Sequence, residues 1–215
     1  MRNSNFSNIT SIKVPRRIHA LLKTKNEKMF FILSLVYVVG IVLGALLIAF
    51  KGGVMIEYIM YATKAELLKK ATDGVLYSLI NSLLSRTILL FILFVLSSCI
   101  FGTPLVLFAL LCGGVGFGLV CGTAYVSFGL GGLPYILFSL AIPTVIFSFG
   151  LFSLATAAIV SSMELYKIAF NGSGRSYGVI NEALIKTLFK SFVFAAISSI
   201  IEALFILVFK GVIRL

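Results

Sequence analysis

The chain has 215 residues, of which 60% are apolar and 12% charged, with a formal net charge of +11 and a mean hydropathy of +1.13. A water-soluble domain cannot hide that much apolar surface, and residues 87–163 contain no Asp, Glu, Lys, Arg or His. A bilayer crossing needs about 20 apolar residues, and in hydrocarbon a helix satisfies its own backbone hydrogen bonds. The composition therefore predicts an all-α, polytopic integral membrane protein whose surroundings are the lipid bilayer. The positive charge does not point to nucleic acid, because it is concentrated at one end. Arg2, Lys13, Arg16, Arg17, Lys23, Lys25 and Lys28 precede the first apolar run, the pattern of a cytoplasmic flank that also touches anionic lipid.

In chain order, residues 1–28 form a basic cytoplasmic tail and residues 29–215 a single transmembrane helical domain. The first span is Met29–Phe50; it is long for a signal-peptide core and follows a long basic flank, so it is read as uncleaved. Residues 51–86 are read as an outer segment too charged to cross. Within it Val75, Leu76, Leu79, Ile80, Leu83 and Leu84 recur on one helical face. This short amphipathic segment either lies on the outer leaflet or its own helices, or offers that face to a partner protein. The second span is expected from Thr87 to Gly102. "GTP" (102–104) then restarts the chain, with Thr103 as N-cap and Pro104 in the first helical position. Span three runs from Pro104 to Ser127, and "GLGGLP" (129–134) breaks it. Span four is expected from Leu133 to Met163, kinked by Pro143 and Gly150 or emerging past the lipid. Residues 167–190, with "NGSGRSYG", read as a cytoplasmic connection, and span five as residues 191–209. Five crossings from a cytoplasmic N-terminus place the C-terminus outside.

The stretch "ALLCGGVGFGLVCG" (109–122) raises two chemistries. A phosphate cradle needs a glycine turn between strand and helix, and position 119 is Leu where G-x-G-x-x-G requires Gly. No Lys or Arg lies between Arg86 and Lys167 to meet a phosphate. The spacing that fits is four: Gly114, Gly118 and Gly122, with Gly40 and Gly44 in span one. Small residues at i and i+4 let helix backbones approach closely in lipid. These five are predicted to pack helices, within the chain or in a homo-oligomer. A broken helix lining a transport site is the other reading of the same glycines.

Glu202, in "SSIIEALF" (198–205), is an acid inside span five. Intramembrane acids are costly and mark function or a specific partner. With no cation drawn inside any span, Glu202 is expected to be uncharged and hydrogen-bonded to a hydroxyl such as Ser148, Ser153, Thr156 or Ser161. Anchoring of a partner's helix and a proton or ion site are the competing readings. The cysteines Cys99, Cys112 and Cys121 form no metal or disulfide pattern and are read as small buried residues. The single histidine, His19, lies in the basic tail. There is no H-E-x-x-H, no G-x-S-x-G and no paired intramembrane carboxylate, so neither catalysis, a cofactor nor a metal is expected.

Residues 86–163 combine an Arg, an apolar span, "FGTP", "GGVGFGLVCG", "GLGG", "LAIP" and a small-residue-rich helix. This order, with the chain length and the basic start, resembles the stage II sporulation protein M family of endospore-forming bacteria. The resemblance implies a non-catalytic membrane anchor that holds peptidoglycan-degrading partners, stage II sporulation proteins D and P, at the septum during forespore engulfment. The alternative function is a small transporter or permease subunit using Glu202 and a glycine-rich broken helix.

Overall fold

The computed structural model describes residues 16–50, 54–72, 75–129, 136–171 and 177–213. It is built of helices: α1 (Arg16–Ala49), α2 (Val54–Thr72), α3 (Val75–Ser97), α4 (Gly102–Phe128), a π-helical turn (Ile136–Ala141), α5 (Ile142–Asn171) and α6 (Tyr177–Ile213). Among the described residues, five segments are long and apolar enough to cross a bilayer: Lys28–Ala49, Val75–Ser97, Gly102–Ser127, Leu137–Phe170 and Glu182–Ile206. The chain is an all-α, multi-pass membrane protein. Its lipid-facing sides carry large exposed apolar residues, such as Phe31, Leu35, Val38 and Val42 along α1. Of the basic residues of the tail, Arg2 and Lys13 lie outside the described residues, as do most of "GLGGLP" and the centre of "NGSGRSYG".

Three boundaries differ from expectation. The second span begins at Val75, not Thr87, so Arg86 lies inside it. The expected outer segment 51–86 therefore divides into the charged helix α2 and the first half of a crossing. The expected connection 167–190 is largely helical, because α5 continues to Asn171 and α6 starts at Tyr177. Its spacing suits a helix, and Glu182 and Lys186 pair at i and i+4, 2.7 Å apart. Finally, α4 starts at Gly102 with Phe101 in the cap position and no side-chain cap bond, so Thr103 is not the N-cap. Pro104 still sits in the first turn, where its missing N–H leaves nothing unpaired.

Helix α5 is the centre of the bundle. Its Leu151, Leu154, Ala155 and Ala158 are fully buried, and Phe147, Phe152 and Ile159 join them in one core with Leu33 and Tyr37 of α1, Leu90 and Leu93 of α3, and Val106 and Leu110 of α4. Phe152 receives Phe30 and Tyr37 edge-on, at ring-centroid separations of 5.3 and 5.7 Å. Helix α6 packs antiparallel to α5, in a register set by two hydroxyls. Ser191 Oγ donates to Gly150 O at 2.7 Å, and Ser198 Oγ donates to Pro143 O. Gly150 does not break α5; a Cβ there would lie 2.9 Å from Phe194 Cβ and 3.2 Å from Ser191, so the glycine admits α6. The irregular turn precedes Pro143 instead, as a proline without an N–H leads one to expect. The short link from α3 to α4 is held from the side: Ser162 Oγ of α5 donates to Cys99 O at 3.0 Å.

Helices α1 and α4 approach each other backbone to backbone. A Cβ on Gly40 would lie 2.5 Å from Leu111 O, and its own Cα faces Gly114. Added carbons on Gly44, Gly114 and Gly118 would run into the backbone oxygens of Val115, Tyr37 and Ile41. Gly122 meets the Ile48 side chain, 3.1 Å away, rather than backbone. Gly116, on the same helix, has nothing within 4 Å. A backbone oxygen fixed in a helix cannot step aside, so Gly118→Leu is predicted to destabilise the protein by about 3 kcal/mol, at the upper end of overpacking effects. Gly116→Leu should accumulate and melt like the parent in detergent. Equal melting temperatures for the two variants would contradict the seam.

Candidate functional site: an ion pair inside the bundle

Arg86 sits midway along α3, with eleven residues between it and each helix end, so about 16 Å from either at 1.5 Å per residue. Glu202 lies the same number of residues before the last residue of α6. The two meet between the helices: Arg86 Nη2 donates to Glu202 Oε2 at 2.6 Å, and only 11% and 6% of the two side chains is exposed. Arg86 Nη1 donates to Ser199 Oγ at 3.0 Å, and Ser199 Oγ in turn donates to Ala195 O at 2.9 Å. Ser82 Oγ, one turn before Arg86, donates to Glu202 Oε1 at 2.7 Å. The guanidinium carbon lies 5.7 Å from the centre of the Phe147 ring of α5. Both charges are thus hydrogen-bonded as well as paired, the condition under which burying them is tolerable.

This corrects the expected partner of Glu202. Its carboxyl pairs with Arg86 and accepts from Ser82, both of α3, rather than bonding to a hydroxyl of span four. The reason is the misplaced start of α3: a helix beginning at Thr87 would leave Arg86 outside. Two of the hydroxyls expected to serve Glu202 are engaged elsewhere. Ser148 bonds to Thr144 O at 2.8 Å and Thr156 to Phe152 O at 2.8 Å, each within α5. The missed signal was periodic: Ser78, Ser82 and Arg86 recur every four residues along α3, and Ser82 and Arg86 meet Ser199 and Glu202 of α6.

The other predicted residues fall into two groups. Gly40 and Gly44 face Gly114, Gly118 and Gly122 along the α1–α4 seam. Val75, Leu76, Leu79, Ile80, Leu83 and Leu84 lie on the first half of a membrane-spanning helix, not on an aqueous arm. Leu76, Ile80 and Leu84 are exposed, whereas Val75, Leu79 and Leu83 are partly buried. Cys99 and Cys112 are exposed and Cys121 half-buried, so the cysteines are not the buried fillers expected from their apolar surroundings. Among the described residues no group of three or more His, Cys, Asp or Glu could hold a metal ion. Comparison with known protein families, characterised proteins and solved structures returns no match.

Removing one member of a buried pair strands the other, at about 3–5 kcal/mol. Glu202→Gln is therefore predicted to lower stability by about 3 kcal/mol, since the amide leaves Arg86 without a counter-charge. The double variant Arg86→Leu with Glu202→Leu should be more stable than either single leucine variant. Denaturation of all three in detergent gives the coupling energy; strictly additive losses would show that the pair does not act as a unit.

Proposed function

We propose that this chain is a non-catalytic scaffold of the cell membrane, acting as the stage II sporulation protein M family does, and holding peptidoglycan-degrading proteins at the septum during engulfment. The observation that carries the reading is the closed state of its intramembrane charges. Arg86 and Glu202 satisfy each other and are held by Ser82 and Ser199. Charges so engaged join helices rather than carry a proton or ion. The glycine seam adds a second fixed joint, and a scaffold needs a stiff frame. In this proposal the N-terminus is cytoplasmic, as the basic flank favours, and five crossings put the C-terminus outside. A reporter fused after Leu215 is expected to be active outside the cytoplasm.

The partner contact is assigned to the exposed apolar residues of α3. Leu76, Ile80 and Leu84 lie one turn apart on a spanning helix, so they suit a partner's membrane-spanning helix. Ile80→Ala with Leu84→Ala should reduce co-purification of proteins resembling stage II sporulation proteins D and P, while the scaffold accumulates normally. Undiminished capture would move the contact off α3.

One observation favours the transporter alternative. The π-helical turn before Pro143 interrupts the fourth crossing, and Ser139 within it is fully buried with its hydroxyl unpartnered. Interrupted helices line the sites of many transporters. The paired deletion, Arg86→Leu with Glu202→Leu, separates the two: a scaffold keeps its partners without the charges, whereas a transporter working through Glu202 loses uptake completely.

A further inference from the structure

Where α1 and α4 end, two grooves meet at Val126. The inner one, about 300 Å³, is bounded by Ala45 and Ala49 of α1 and by Cys121, Gly122 and Tyr125 of α4. It is open because four of these five side chains are small, and because the seam there runs through the Ile48 side chain rather than backbone. The outer groove, about 370 Å³, lies between α2 and the end of α4. Glu57, Tyr61 and Lys64 of α2 line it together with Ser127. Helix α2 carries Glu57, Lys64, Glu66 and Lys69, so it stays at the lipid–water boundary while the other helices cross. Tyr58 and Tyr61 are 71% and 75% exposed and Tyr125 51%. Tyrosines collect at that boundary, with the ring in the acyl region and the hydroxyl among headgroups.

We propose that these joined grooves form a binding site for a zwitterionic phospholipid with a primary-amine headgroup. The inner groove takes the start of an acyl chain. In the outer one, Lys64 Nζ and the Tyr61 hydroxyl donate to phosphate oxygens, and the headgroup ammonium donates to the Glu57 carboxylate. The order of the lining decides the ligand. A soluble phosphoamine would leave the inner groove bare. An apolar helix would leave Glu57 and Lys64 without counter-charges. An anionic lipid would set its net negative charge beside Glu57. The site lies at the opposite end of the α1–α4 seam from Gly40, and it is independent of the scaffold reading.

Native mass spectrometry of the full chain in detergent tests this, with phosphatidylethanolamine, phosphatidylglycerol and soluble phosphoethanolamine as probes. Retention of a single phosphatidylethanolamine is expected. Phosphatidylglycerol should bind about tenfold more weakly, as should phosphatidylethanolamine to Lys64→Gln, the loss expected for one charge-assisted hydrogen bond. Ala49→Phe, which fills the inner groove from an exposed position, should also release the lipid, and phosphoethanolamine should not bind. The site is overturned if phosphatidylglycerol binds as tightly, or if phosphoethanolamine matches the lipid. It is equally overturned if Lys64→Gln and Ala49→Phe both keep parental affinity, or if the groove instead holds a second copy of the chain, seen as a dimer that Ala49→Phe dissolves.

Discussion

A guanidinium and a carboxylate buried among apolar helices constrain everything packed around them. Each would be expensive in hydrocarbon on its own, and together they are stable only at hydrogen-bonding distance with their remaining valences filled. The Arg86–Glu202 contact at 2.6 Å therefore does more than join α3 to α6. It fixes the rotation of both helices, because Ser82 must also face Glu202 and Ser199 must face Arg86. It fixes their height as well, since a shift of one residue would separate the charges. Helix α5 is then seated by hydroxyls from α6, at Gly150 and Pro143, and Phe147 closes over the guanidinium.

The second joint works by a different force. Between α1 and α4 there is no charge to pair, and lipid gives no hydrophobic reward for bringing two helices together. What remains is dispersion at short range, which requires glycine where the backbones cross. The contact is specific because it is steric: Gly40, Gly44, Gly114 and Gly118 each face a backbone oxygen that cannot move. The two joints meet in α5, whose Phe152 packs on Tyr37 of α1 while its Phe147 lies against Arg86. The frame is thus tied from the first helix to the last through one central element.

The helical class, the number of crossings and the spacing of the glycines were legible in the chain, because each is a local pattern of apolar or small residues. The boundary at α3 was not. By its charge Arg86 reads as an end marker, and a charge marks an end only if nothing inside the membrane neutralises it. Its partner lies 116 residues away, outside any window that a periodicity argument inspects. A clue was nonetheless present. Residues 87–102 are too few to cross a bilayer, which takes about 20, and the apolar run Val75–Leu84 was the only sequence able to complete them. The exposure of Cys99 and Cys112 was hidden for another reason. In a bilayer the outside of the bundle is as apolar as its inside, so composition does not distinguish the two.

The separation of Arg86 from Glu202 along the chain also bears on how the protein is made. A polypeptide enters the membrane from its N-terminus, so α3 arrives with its arginine while the three later crossings are still missing. The counter-charge comes with α6, the last of the described helices. Until then α3 holds a cation with no acid on its own helix to answer it, and any chain broken off before Glu202 stays in that state. The pair thus separates chains that carry α6 from chains that stop short of it: the first bury the arginine against Glu202, and the second leave it without that counter-charge.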